Sequence, residues 1–243
     1  MEKGKFERFV SKYNLGGSCE SVVVKSTGKD LSVRSVSDDK NIVAEVTLGD
    51  FNFPQGEFPV YETKRLKSLL GVLDDTLTVS ANSKGGKVVG VDFKDASTKV
   101  TFVLAEAAVI PKVPDLKAKL PPFEVILDLN EQFITSFVKA KGALAEVGSF
   151  TVFSDGDKDT ASVVLGYSST VNTNRVQITA TASSNAKLDP ISFSANYMRE
   201  ILLANKDLKN GKLHISSKGL SLAEFSGDNF TTKYYLVKVD VKD

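Results

Sequence analysis

The chain has 243 residues and a net charge of +1, from 31 basic and 30 acidic side chains. That balance argues against an indiscriminate polyanion binder, and a composition that is 42% hydrophobic and 25% charged is globular rather than disordered. One cysteine, Cys19, excludes an internal disulfide, and with a single histidine, His214, no His/Cys metal cage can be built.

The length suits one large or two ordinary domains. The charged start, MEKGKFERF, is not a signal peptide, and no apolar run approaches the roughly 20 residues of a membrane span. The expectation is a cytoplasmic protein without membrane contact, in a host cell's cytoplasm if it is viral.

In chain order, Phe6, Phe9, Val10 and Tyr13 recur at i, i+3, i+4, i+7 and predict an amphipathic helix. Alternating segments follow that predict strands: SVVVKS, DLSVRSV and NIVAEVTL. A second apolar stripe, Leu66, Leu69, Leu70 and Leu73, predicts another helix, and TLTVSA, KVVGVDF and TKVTFVL predict three more strands. The segment EAAVIPKVPDLKAKLPPF holds Pro111, Pro114, Pro121 and Pro122, four of the seven prolines. Proline fixes φ and cannot donate to a ladder, so this reads as an extended connector.

Beyond it, FEVILDL predicts a strand, and Phe133, Ile134, Phe137 and Val138 predict a helix with Asn130 at its start. SFTVFSD, ASVVLGYS and RVQITATA predict strands, and Met198, Ile201 and Leu202 mark a fourth helix starting near Asn196. GKLHISS and TTKYYLVKVD predict the last strands. The final one has Tyr234 and Leu236 on one face and Tyr235, Val237 and Val239 on the other, so it is apolar on both and needs a cover for the second. Both halves run helix, strands, helix, strands, which reads as an internal duplication.

The four helical windows, 2–13, 61–75, 129–142 and 195–209, hold twelve basic and eight acidic residues, a net of +4 that leaves −3 for the rest. Lys5, Arg8 and Lys12 share one side of the first helix, Lys64 and Lys67 one side of the second, and Arg199 and Lys206 one side of the fourth; Lys139 is the candidate on the third. On one helix a charged outer face is ordinary solvation. Repeated on four helices of a duplicated chain, that reading weakens; if all four lie on one side of the molecule, their lysines and arginines make a positive surface that holds phosphates without reading sequence.

Catalytic patterns are absent. His214 sits in a strand and reads as structural, while GGKVV and TGKDL fail the phosphate-loop pattern. DGDKDT, with Asp155, Asp157 and Asp159, starts like a calcium loop but has Gly166 where the twelfth-position acid belongs, so it reads as a polar hairpin turn. Asn229-Phe230-Thr231 matches a glycosylation acceptor, but nothing indicates secretion. The chain is expected not to be an enzyme and to need no cofactor or metal.

The ordered set of segments resembles the DNA sliding clamps. FSANYMREILLANKDLKNGKLHISSKGLSLAEF followed by TKYYLVKV is similar to the last domain of these ring-shaped processivity factors. VRSVSDDKNIVAEVTL resembles the first-domain stretch of the proliferating cell nuclear antigen kind, and FPVYETKRLKSLLGVLDDTLTVS that of the bacteriophage T4 kind. The resemblance implies an α+β DNA-clamp fold: two duplicated domains, 1–107 and 124–243, each with antiparallel sheets and two helices, joined by a connector at 108–123.

It further implies a homotrimeric ring around double-stranded DNA, helices lining the hole, bound without sequence preference, loaded by a separate ATPase clamp loader and tethering a DNA polymerase. Lys5, Arg8, Lys12, Lys64, Lys67, Lys139, Arg199 and Lys206 would face DNA. TKVTFVLA of one subunit would meet NRVQITAT of the next, with Val100, Phe102, Val176 and Ile178 sealing the joint. A groove for partner peptides would take in Val36, Ile42, Ile110, Val113, Tyr235 and Val237, with Tyr235 foremost. The alternatives are a monomeric processivity factor that holds DNA by charge alone and a viral structural β-protein with no DNA role.

Overall fold

The apolar stripes and alternating segments become four helices and fifteen strands among the described residues, and the strand pairs whose register is resolved are antiparallel. The computed structural model describes residues 1–115, 120–208 and 210–240, so part of the expected connector, 116–119, and residue 209 of the last helical window lie outside the described residues. The chain divides into two compact units: Met1–Pro114 with Asp228–Thr232, and Asp115–Gly227 with Lys233–Asp243.

In the first unit, α1 (Lys3–Asn14) precedes β1 (Val22–Ser26), β2 (Leu31–Val36), β3 (Ile42–Leu48) and β4 (Gly56–Val60). Then come α2 (Thr63–Leu70), β5 (Thr78–Lys84), β6 (Lys87–Lys94) and β7 (Lys99–Val103). The strand orders are β4-β1-β2-β3 and β5-β6-β7. α1 buries its predicted stripe against β2 and β3, and Phe6 stacks among Phe51, Phe53 and Phe93 with ring centroids 6.2, 5.4 and 5.8 Å away. Burying each such ring contributes roughly 1.5–3 kcal/mol. The helix stops where Leu15 turns left-handed at φ 47° and Gly16 follows at φ 67°, a conformation that costs glycine nothing.

The second unit runs β8 (Val125–Asp128), α3 (Glu131–Ala143), β9 (Ser149–Ser154), β10 (Thr160–Leu165), β11 (Val176–Ser184) and β12 (Leu188–Ser194). α4 (Ala195–Asn205), β13 (Asn210–Ser216), β14 (Leu220–Gly227) and β15 (Phe230–Val237) complete it, the first residues of β15 grouping with the first unit. The order is β12-β9-β10-β11-β8-β13-β14-β15. The core is aromatic here too: Phe150 lies 5.3 Å from Phe137 and 5.8 Å from Phe193, centroid to centroid, and Met198, Ile201 and Leu202 are fully buried. Asn205, also buried, donates to the Ile201 carbonyl and to the Tyr234 hydroxyl, at 2.8 and 2.9 Å, so neither polar group is stranded.

The duplication is visible in the topology. In each unit the fourth strand after the first helix returns beside the first, giving β4-β1-β2-β3 and β12-β9-β10-β11. β8, which pairs with β13, has a remnant counterpart in the bridge between Glu2 and Thr76 just before β5.

The structure departs from the sequence reading in four strand and cap details. β4 and β12 were not among the predicted strands; each contains a proline, Pro59 and Pro190, and both lie at an end of their strand order, where a missing donor is tolerated. β14 was not among the predicted strands either. α4 is capped by Ser194, whose hydroxyl accepts from the Tyr197 N–H at 3.3 Å, and not by Asn196. At α3 the expected cap holds: the Asn130 side chain accepts from the Phe133 N–H at 2.8 Å. Among the described residues no helix is long and apolar enough to cross a membrane.

Candidate functional site

Three features bear on function: the cationic helix sides, two open sheet edges, and the apolar positions near the connector and in the last strand. In the first unit α1 and α2 pack together. Lys64 and Lys67 are exposed and Lys5 half-buried, and none of the three has an ion-pair partner among the described residues. Arg8 is engaged, paired with Asp228 and lying 4.9 Å over the Phe230 ring. Lys12 is fully buried, its ammonium 5.0 Å from the Phe230 ring centre. The reading of Lys12 as part of a solvent-facing row is therefore corrected: its stem and charge belong to the interior under α1.

In the second unit α3 and α4 pack side by side and bring Lys139 and Lys206 to one groove of about 650 Å³. Leu129, Ile134, Val138 and Leu203 form its apolar lining. Both lysines are exposed and lack ion-pair partners among the described residues. Arg199 is paired with Glu200, and the neighbouring Lys141 is buried with its ammonium donating to the Ala145 carbonyl at 2.7 Å, closing the end of α3. Of the eight cations expected on the helices, five lysines are free of ion pairs among the described residues, three in the first unit and two in the second.

The open edges follow from the ladders. The Leu104 N–H donates to the Val89 carbonyl and the Asp95 N–H to the Thr98 carbonyl, each at 3.0 Å, in the register that pairs Thr101 with Asp92. In an antiparallel ladder, bonded and non-bonded positions alternate. Val100 and Phe102 therefore exchange bonds with β6, and Lys99, Thr101 and Val103 turn their N–H and C=O groups to the free side of β7. By the same rule, the Ala182 N–H bonded to the Asp159 carbonyl at 2.9 Å puts Val176, Ile178 and Ala180 in the ladder with β10. Gln177, Thr179 and Thr181 turn outward. β8 meets β11 only from Ala182 on, so 176–181 have one free side among the described residues.

These edges are unguarded. β4 and β12 carry prolines, β5 has a bulge at Asn82/Ser83, and β12 has a second irregularity between Leu188 and Ile191. Prolines, bulges and charges are how exposed edges avoid pairing. β7 and 176–181 have neither proline nor bulge, and the one charged side chain on them, Lys99, is paired with Asp92. Of the four residues expected at the joint, Val100 and Phe102 point inward and are buried, while Val176 and Ile178 are half-exposed.

On the outward face of β7, the Asp92 carboxylate takes the Lys99 ammonium at 2.7 Å, the Thr101 hydroxyl at 2.6 Å and the Asn82 amide at 2.9 Å. Lys99 and then Thr101 hold its pKa at about 2, below the ordinary 3.8. Sequence reasoning missed this network; the alternation of Lys99, Thr101 and Val103 with Val100 and Phe102 carried its only signal.

The remaining positions fall into separate units. Val36 and Ile42 flank the β2–β3 turn, where the Ser37 N–H donates to the Ile42 carbonyl at 3.1 Å, and both are buried. Ile110 is buried just after a 3₁₀ turn at Ala107–Val109, and Val113 is half-buried. Arg34 donates to the Pro114 carbonyl at 2.9 Å while pairing with Glu45, which ties the start of the connector to β2. In the second unit Tyr235 is 8% exposed and Val237 is 42% exposed. His214 is held as a structural residue, its Nε2 3.0 Å from Glu224 and its ring edge against Phe123. The segment at Asp155–Asp159 is the turn joining β9 and β10.

The crystal structure of Proliferating Cellular Nuclear Antigen from Entamoeba histolytica superposes with a TM-score of 0.74 at 14% identity, covering 98% of this chain and 96% of that one. The fold is that of proliferating cell nuclear antigen. No protein-family model and no curated protein matches the sequence. Full-length coverage of both chains means that the duplicated order of strands and helices, and not one half alone, is shared.

Proposed function

We propose that this chain is a DNA sliding clamp: a homotrimeric ring, closed head to tail by β7 of one copy adding to β11 of the next, that encircles double-stranded DNA and tethers a DNA polymerase. The observation that carries the reading is the pair of unguarded edges, one in each unit, each with a polar and an apolar side. An edge of that kind on a stable protein calls for a partner strand. Two different edges that pair with each other, one in each unit, make a heterologous joint, which closes into a ring when its rotation allows.

Five lysines free of ion pairs on the packed helices, Lys5, Lys64, Lys67, Lys139 and Lys206, suit interchangeable phosphate contacts along a duplex. Arg8 and Arg199 sit on the same helices but are engaged elsewhere. So few free charges argue against a monomer holding DNA by charge alone. In this reading the domains are 1–107 and 124–243 with the connector at 108–123. A polymerase, or the separate ATPase that loads the ring, docks with a short peptide on Val36, Ile42, Ile110, Val113, Tyr235 and Val237. The T4-like stretch in the first half favours a viral replication system.

Light scattering at micromolar concentration is expected to give three times the 26.2 kDa chain mass. Rings loaded on nicked circular DNA are expected to stay bound and to be lost on linearisation. A species that remains monomeric at all concentrations refutes the ring.

A further inference from the structure

The subunit joint just proposed leaves open which residues face each other, and two observations on the open edges decide it. We infer that the joint between two copies of this chain has one register, Thr101 of β7 opposite Thr179 of β11, fixed by edge hydrogen bonding and by charges at both ends. This rests on the ring reading and goes further, to a specific pairing.

The outward groups of β7 belong to Lys99, Thr101 and Val103, and those of β11 to Gln177, Thr179 and Thr181. Antiparallel addition must set one trio against the other, because only these residues have unused donors and acceptors on that side. Registers that satisfy that parity differ by steps of two residues. With Thr101 opposite Thr179, all three pairs form: Lys99 with Thr181, Thr101 with Thr179, and Val103 with Gln177. A slip of two residues in either direction keeps only two pairs and strands the rest.

The same register matches the faces. Lys99, Thr101, Gln177, Thr179 and Thr181 are all exposed, and they fall on one side of the joined sheet. On the other side Phe102 meets Ile178 and Leu104 meets Val176, and the two β11 residues are half-exposed in the free chain. Next to this edge lies a cavity of about 440 Å³ between α2 and β7, lined by Tyr61, Arg65, Leu69 and Val103 among others. Tyr61 is 52% and Val103 74% exposed. α3 packs on β11, so addition of β11 brings the neighbour's α3 toward this cavity.

Charge agrees at both ends. Beyond one end of β7 stands Glu106, and beyond the facing end of β11 stands Arg175; each is exposed and has no ion-pair partner among the described residues. At the opposite end Lys94, beside the Lys99–Asp92 pair, faces the neighbour's β9–β10 turn, with Asp157 and Asp159. Asp159 lies one strand beyond Ala182, about 4.8 Å further across the sheet, within reach of a lysine. Reversing the direction of β11 would set Glu106 near the acidic turn and the lysines near Arg175.

The register is tested by cysteine pairs in the full-length chain. Directly opposed residues bring Cα atoms to about 5.5 Å, within the span a disulfide bridges. Thr101→Cys with Thr179→Cys is expected to give intermolecular disulfides under mild oxidation, in at least tenfold higher yield than Thr101→Cys with Gln177→Cys or with Thr181→Cys. Cys19 is buried, and each single variant serves as its control.

In parallel, Glu106→Arg and Arg175→Glu are each expected to weaken assembly severalfold, and the double reversal to restore it. A highest yield at a shifted pair, or no rescue by double reversal, in a protein that light scattering shows to assemble, overturns this register and leaves the ring standing. Absence of assembly in the unmodified chain overturns both.

Discussion

Thr179→Pro separates assembly from folding more cleanly than any core change. The Thr179 N–H points away from β10 and the side chain is exposed, so proline there removes a donor that the free chain does not use. The isolated fold is expected to lose less than about 1 kcal/mol, mostly from strand geometry.

At the proposed joint the expected loss is larger. One backbone hydrogen bond worth about 1 kcal/mol disappears, and the facing Thr101 carbonyl is buried without a donor, which costs about 1–3 kcal/mol more. The total of about 2–4 kcal/mol per joint raises the dissociation constant by roughly 30- to 1000-fold. Concentration-dependent light scattering measures the association, and thermal unfolding of the dilute protein measures the fold. Unchanged association beside an unchanged melting temperature would refute the assignment of this edge to self-pairing. A large fall in melting temperature at a concentration where the parent is dissociated would refute the claim that the N–H is unused.

Lys139→Ala with Lys206→Ala is expected to leave the oligomer mass unchanged and to flatten the salt dependence of DNA binding. If both lysines meet phosphates, the slope of log K against log salt falls by up to about 1.8 per engaged subunit, and an unchanged slope removes this pair from the DNA face. Asp92 gives a pH test. Its carboxyl is depressed from 3.8 to about 2, so its stabilising contribution is complete above about pH 4 and is lost as pH falls through about 2. Asp92→Asn is expected to flatten the acid limb of the stability curve in that window, and an acid limb identical to the parent's would show that the Lys99 pairing contributes nothing.

Much of the fold was legible because periodicity survives where one face is buried. The stripes Phe6-Phe9-Val10-Tyr13 and Met198-Ile201-Leu202 predicted α1 and α4, and every one of these residues is buried. β4 and β12 were hidden for a physical reason. Pro59 and Pro190 argue against a strand in the middle of a sheet, but each sits where its missing donor is harmless. The duplication was legible in the order of elements, whereas the Glu2–Thr76 bridge that mirrors β8 is too short to leave a pattern.

The candidate sites were less legible. Helical spacing puts Lys12 beside Lys5 and Arg8, yet Phe230, more than two hundred residues away in sequence, draws Lys12 into the interior. Likewise, alternation showed that Val100 and Phe102 share a face with each other. It gave no sign that the unused hydrogen-bonding groups belong to their neighbours, because that depends on which strand pairs on the other side.

The withdrawal of Lys12 and Lys141 into structural duty, and the pairing of Arg8 and Arg199, leave a sparse coat of charge. A collar that travels along a polymer gains from such frugality. Every extra cation would deepen the energy wells between successive phosphates and slow each step, as well as recruit stray RNA. In the ring proposed above, a shallow electrostatic grip would leave residence on the track to topology and make drift nearly free.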